Sequence, residues 1–110
     1  LVPVGPDVRY QLTPDLVERY WDQDSVGALV ASPANPTGTV LSRDELAGLS
    51  TAIKARNGHL VVDEIYHGLT YGADAASVLE VEDSACVLNS FSKYFGMTGW
   101  RLGWLVAPPA

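Results

Sequence analysis

Four short, largely apolar runs punctuate the chain: Val26 to Ser32 (VGALVAS), His59 to Asp63 (HLVVD), Ala85 to Asn89 (ACVLN) and Leu102 to Ala107 (LGWLVA). Runs of strand length without strict polar alternation are expected for strands buried on both faces. Helical patterns precede and separate the first two runs. At Thr13-Pro14-Asp15 the chain offers a capping threonine, a proline suited to the first helical position and an acid for the positive end of the dipole. Leu16, Val17, Tyr20 and Trp21 then form a short apolar face. Ser42-Arg43-Asp44-Glu45 is a capping-box signature, with Leu46, Leu49 and Ile53 on one face and Asn57-Gly58 closing the helix.

Strand–helix–strand order with apolar strands predicts an α/β fold built on a mostly parallel sheet. Segments 34–58 and 67–84 are each long enough for a crossover connection, which needs about a dozen residues. Only seven residues separate Lys93 from Arg101. That is too short for a crossover, so the fourth strand is expected to run antiparallel to the other three.

Composition narrows the class. The 110 residues carry 7 basic and 13 acidic side chains, a net charge of −6, and 47% of them are hydrophobic. That apolar share excludes a disordered or collagen-like chain. The acidic balance disfavours nucleic acid or an anionic membrane as partner. One cysteine, Cys86, cannot form an internal disulfide, which fits a cytoplasmic setting. No apolar run approaches the roughly 18 residues of a membrane span, and the Pro-interrupted start Leu1-Val2-Pro3-Val4 does not read as a signal peptide. The missing initiator Met and the stop at Pro108-Pro109-Ala110 read as cuts through a longer protein.

In open α/β sheets, ligands bind beyond the carboxyl ends of the parallel strands. Asn35 follows the first strand run, Asp63 and Tyr66 close the second, and Ser90, Ser92 and Lys93 follow the third. Arg101 opens the fourth, which a reversed direction brings to the same edge. An amide, a carboxylate, a phenol, hydroxyls, a lysine and an arginine thus converge. This inventory suits pyridoxal 5′-phosphate. A lysine amine forms an imine with its aldehyde, and a carboxylate keeps the ring nitrogen protonated. An arginine grips the phosphate by two parallel hydrogen bonds.

Four segments carry a family resemblance: Asn35-Pro36-Thr37-Gly38, Asp63-Glu64-Ile65-Tyr66, Ser90-Phe91-Ser92-Lys93 and Gly99-Trp100-Arg101-Leu102-Gly103. In order and separation they closely resemble the class I/II aminotransferases, pyridoxal phosphate enzymes of the aspartate aminotransferase fold. The resemblance covers roughly residues 26–107. It implies that Lys93 binds the cofactor aldehyde and later moves the proton between substrate Cα and cofactor C4′. It implies that Asp63 pairs with the ring nitrogen and that Asn35 and Tyr66 contact the 3′-oxygen. Ser90 and Arg101 hold the phosphate, with Ser92 as a neighbour. It further implies amino acid and 2-oxo acid substrates, a homodimer, and a chain that is the central part of the large cofactor domain. The N-terminal segment and a C-terminal small domain carrying the substrate arginine are missing from it.

Taken singly, each residue has a plainer reading. A lysine after a strand is usually a solvated charge, an Asp at a strand end a turn residue, and Asn-Pro a turn starter. Lys54 reads as solvated, His59 as structural, and Trp100 and Trp104 as packing residues. His67 has no assigned role. Glu64 beside Asp63 is not expected to form a carboxylate dyad, since successive strand residues face opposite sides. Two isolated histidines and one cysteine do not provide a zinc site. Two other activities share this cofactor chemistry, a carbon–sulfur lyase and a non-catalytic sensor domain of a transcription regulator. A degenerate fragment without activity is the remaining alternative.

Overall fold

The structure is a computed structural model and describes residues 1–72 and 74–109. Thr13 caps the first helix, α1 (Pro14–Tyr20), its side-chain oxygen accepting from the Leu16 amide. Ser42 caps α2 (Arg43–Lys54), and here the full capping box forms: Ser42 accepts from the Glu45 amide while the Glu45 carboxylate accepts from the Ser42 amide. Asn57 rather than Gly58 takes the left-handed conformation that ends α2, with φ 54°. Gly58 answers a different need, because a Cβ there would stand 2.3 Å from the Trp21 ring.

The four strands are β1 (Gly27–Ala31), β2 (His59–Asp63), β3 (Cys86–Ser90) and β4 (Gly103–Val106), each within a residue or so of its apolar run. They lie side by side in chain order. The β1–β2 and β2–β3 pairs are parallel, and β4 runs antiparallel to β3 with Ser90 opposite Gly103. The short Lys93–Arg101 link therefore returns the chain to the edge where β3 ends. The β2–β3 crossover carries a 3-10 turn, Val78–Glu80, in place of an α-helix.

Strand alternation divides the sheet into two unlike faces. Val30, Val62 and Val87 are in register on one face and buried. α2 covers that face with Leu46, Leu49 and Ile53, and Val17 of α1, Leu41 and Val78 complete the core. Fully burying one such side chain contributes about 1.5–3 kcal/mol. On the other face Leu29 is 68% and Leu105 58% exposed, and Leu88 is exposed as well. The expectation of strands buried on both faces thus holds on one face only. A hydrophobic groove of about 740 Å³ adjoins this bare side, running from the N-terminal segment along β1 past Leu12, Leu16, Trp21 and Leu29.

Candidate active site

Each strand end hands its polar residues to a turn held by its own hydrogen bonds. After β1, the Ser32 hydroxyl accepts from the Leu41 amide at 2.9 Å, and the Ala34 amide donates to Thr39 O at 2.9 Å. Asn35 sits at the exposed tip of this turn. Gln11, buried to 4% exposure, secures the turn from beneath. Its Nε2 donates to Ala31 O at 3.1 Å and to the Thr39 hydroxyl at 3.1 Å. Sequence reading passed over Gln11 because a lone glutamine in a loop has no periodic signal.

After β2, the Asp63 carboxylate lies on the bare face, in register with Ala31 and Leu88. One of its oxygens, Oδ1, accepts from the Ile65 amide at 3.0 Å, and the other makes no hydrogen bond among the described residues. Tyr66 follows, half-buried, and lines a cavity of about 410 Å³ together with Asn35, Pro36, Leu69 and Tyr71. Small-molecule sites commonly run from about 300 to 1,000 Å³. Gly68 brings this turn against the next one. Its φ is +84°, and a Cβ there would stand 2.5 Å from the Tyr94 ring.

After β3, Ser90 Oγ accepts from the Ser92 amide at 3.0 Å and lies 2.9 Å from Ser92 Oγ and 3.2 Å from Leu102 O. The Thr98 hydroxyl donates to Ser92 O at 2.7 Å, closing the loop over Lys93. Lys93 is exposed, and its Nζ stands 5.6 Å from the centroid of the Tyr66 ring. Arg101 takes a left-handed conformation, φ 52°, and donates one N–H to Thr98 O at 2.9 Å. The rest of its five-donor fork is open to a ligand.

The structure therefore brings Asn35, Asp63, Tyr66, Ser90, Ser92, Lys93 and Arg101 to one edge of the sheet. It departs from expectation at Trp100, which is 75% exposed because it belongs to the loop before β4 rather than to the strand. Trp104 meets Phe91 edge-on at 4.9 Å and yet stays 38% exposed, so its packing is one-sided. Lys54, expected to be merely solvated, pairs with Glu82 at 2.8 Å. No group of three or more His, Cys, Asp or Glu side chains suited to a metal occurs among the described residues.

The family model "Aminotransferase class I and II" matches residues 2–110. The chain belongs to the class I and II aminotransferases. It is 48% identical over 109 residues to a valine–pyruvate aminotransferase of Mycobacterium tuberculosis, covering 97% of this chain and 28% of that protein. It is 43% identical over 82 residues to an aspartate aminotransferase of Thermotoga maritima, covering 72% of this chain and 22% of the relative. Among solved structures, an aminotransferase from Mycobacterium tuberculosis superimposes with a TM-score of 0.88 at 44% identity. The Thermus thermophilus aspartate aminotransferase with maleate does so with 0.89 at 32% identity, over 97% of this chain and 28% of that one. This chain thus spans between about a fifth and three-tenths of the length of these relatives.

The family's cofactor fits the donor set on this chain's own geometry. One amine stands near one phenol, one carboxylate oxygen is unused, and two hydroxyls and a guanidinium lie on the same edge. No described helix is long and apolar enough to cross a membrane.

Proposed function

We propose that this chain is the central part of the large domain of a pyridoxal phosphate-dependent aminotransferase that moves an amino group between an amino acid and a 2-oxo acid. The observation that carries the reading is the convergence of Asp63, Tyr66, Lys93 and Arg101 from three segments onto one sheet edge, in a chain whose family is shown. When bound, pyridoxal phosphate supplies an aldehyde that takes up the amino group and a protonated ring that accepts an electron pair.

Around that group each residue has a distinct task. Lys93 Nζ would hold the aldehyde carbon of the cofactor, and its amine would carry a proton to or from the substrate Cα. The unused oxygen of Asp63 holds a proton on the ring nitrogen. The Tyr66 hydroxyl and the Asn35 amide donate to the ring 3′-oxygen. Ser90, Ser92 and the open donors of Arg101 hold the phosphate. The remainder of a longer protein covers Leu29, Leu88 and Leu105, completes a homodimer and supplies the group that grips the substrate carboxylate. The lone cysteine, which calls for no oxidising compartment, supports a cytoplasmic location.

The test uses the full-length protein, loaded with pyridoxal phosphate, reduced with borohydride and digested. The adduct is expected on Lys93, and an adduct on any other residue overturns the site. Valine with pyruvate is the first donor–acceptor pair to assay, chosen on the 48% identity to a valine–pyruvate aminotransferase. Release of thiol or pyruvate from amino acids, without transfer, turns the reading toward a lyase.

A further inference from the structure

Glu64 is the acidic residue that the cofactor chemistry leaves unused, and it is buried to 4% exposure. It follows Asp63, so alternation sends its side chain to the covered face while Asp63 stays on the bare one. A carboxylate on a core face is costly unless it is hydrogen-bonded, and this one is. Its Oε1 accepts from the Ser77 hydroxyl at 3.0 Å and from the Val78 amide at 2.8 Å. Its Oε2 lies 3.6 Å from Nδ1 of His67. His67 Nε2 is buried with no hydrogen-bond partner among the described residues, so the Glu64 carboxylate, just beyond hydrogen-bond length from Nδ1, is the polar group set against the ring.

The backbone repeats the tie. The His67 amide donates to Glu64 O at 2.9 Å, and the Glu64 amide donates to Leu88 O of β3 at 2.9 Å. Residues 64 and 67 are thus joined by a main-chain hydrogen bond, and their side chains approach to 3.6 Å. Tyr66 lies between them. On its far side the turn is fixed by Gly68 packed on Tyr94.

We propose that Glu64 is a positioning residue for Tyr66, acting from the opposite face of the sheet through His67. This rests on the cofactor reading above, in which Tyr66 donates to the 3′-oxygen. Glu64 touches neither cofactor nor substrate. It sets where the phenol stands relative to Lys93, and hence how strongly the deprotonated form of the bound cofactor is favoured.

The experiment titrates the visible absorbance of the cofactor bound to the full-length protein against pH. Tyr66→Phe is expected to raise the midpoint, since it removes a donor to the 3′-oxygen. Glu64→Gln is expected to raise it in the same direction, by about half a unit, or a threefold change in the equilibrium. The double variant should titrate like Tyr66→Phe alone, because a residue acting through Tyr66 has nothing further to remove. Gln can still accept from Ser77 and Val78, so the melting temperature should stay near wild type. His67→Phe leaves the Ser77 and Val78 contacts in place and should shift the midpoint likewise, which decides the matter if Glu64→Gln does not fold. An unshifted midpoint in the folded single variants, or additive shifts in the double, overturns the proposal. A wild-type protein without an adduct on Lys93 instead overturns the cofactor reading, and this inference with it.

Discussion

On one face of the sheet Val30, Val62 and Val87 lie buried beneath α2, while Leu29 and Leu88, one residue away along β1 and β3, and Leu105 of β4 stand in solvent on the other. The two rows are alike in hydrophobicity and differ in what the 110 residues provide to cover them. The two neighbouring carboxylates divide in the same way. Asp63 projects on the bare face with an oxygen to spare, whereas Glu64 projects on the covered face with Oε1 bonded to Ser77 and Val78 and Oε2 3.6 Å from the His67 ring. The covered face holds the structure in place, and the bare face with the adjoining sheet edge presents the polar groups of the candidate site. Large exposed apolar surface beside a polar site marks a place where other chain packs, which agrees with a chain spanning 28% of its relative's length.

The sharpest way to break this contrast is to alter the carboxylate on the bare face. Asp63→Asn keeps an oxygen to accept from the Ile65 amide and removes only the negative charge. In the full-length protein, turnover is expected to fall on the order of a thousandfold, about 4 kcal/mol, with the unfolding midpoint unchanged. Activity within about tenfold of wild type would show that Asp63 is a turn residue, the plainer reading of an Asp at a strand end.

A charge placed in the exposed leucine row probes what covers it. Leu29→Asp should make the isolated 110-residue chain more soluble, because it interrupts an apolar patch beside an unpaired strand edge. In the full-length protein the same change is expected to cost about 3–5 kcal/mol of stability, the penalty for a buried charge without a partner. Turbidity of the short chain and denaturant unfolding of the long one read the two halves. Equal, small effects in both would mean that nothing packs on this face.

Much of this arrangement was legible in local signals. The Ser42–Glu45 capping box located α2, the apolar runs located all four strands, and seven residues between Lys93 and Arg101 forced β4 to reverse. Each of these depends on neighbours within a turn or a link, where spacing alone decides the outcome. Features that depend on more distant parts of the chain were not legible. Four apolar runs cannot tell which of their faces the same 110 residues will cover. Trp100 looked like a packing residue by its neighbours, yet the loop that bonds Arg101 to Thr98 turns it outward. Glu64 did carry a signal: on strand alternation it shares the core side with Val62, and a carboxylate there needs partners. Those partners, Ser77 and Val78, lie thirteen and fourteen residues on, beyond the reach of any short pattern.

The smallest expected effect concerns the polar stitch that fastens the cover to the sheet, for which the bare face has no counterpart among the described residues. Glu82, just before β3, accepts from the Ser50 hydroxyl at 2.7 Å and from Lys54 Nζ at 2.8 Å, both on α2, and from the Ser84 amide at 3.0 Å. The Lys54 ammonium, followed by the Ser84 and Ser50 hydroxyls, pushes the Glu82 carboxyl down to about 2. A carboxyl held below its unfolded value stabilises the fold at pH above that unfolded value, and the contribution fades as pH falls toward the folded one. The loss should therefore begin near pH 4.5 and be complete only below about 2. Glu82→Gln should cost about 1 kcal/mol at neutral pH and flatten the stability profile across that acid window. Urea unfolding of the full-length protein at a series of pH values measures both. If variant and wild type lose stability in parallel between pH 4.5 and 2, other carboxylates carry the acid sensitivity, and packing alone holds α2 on the sheet.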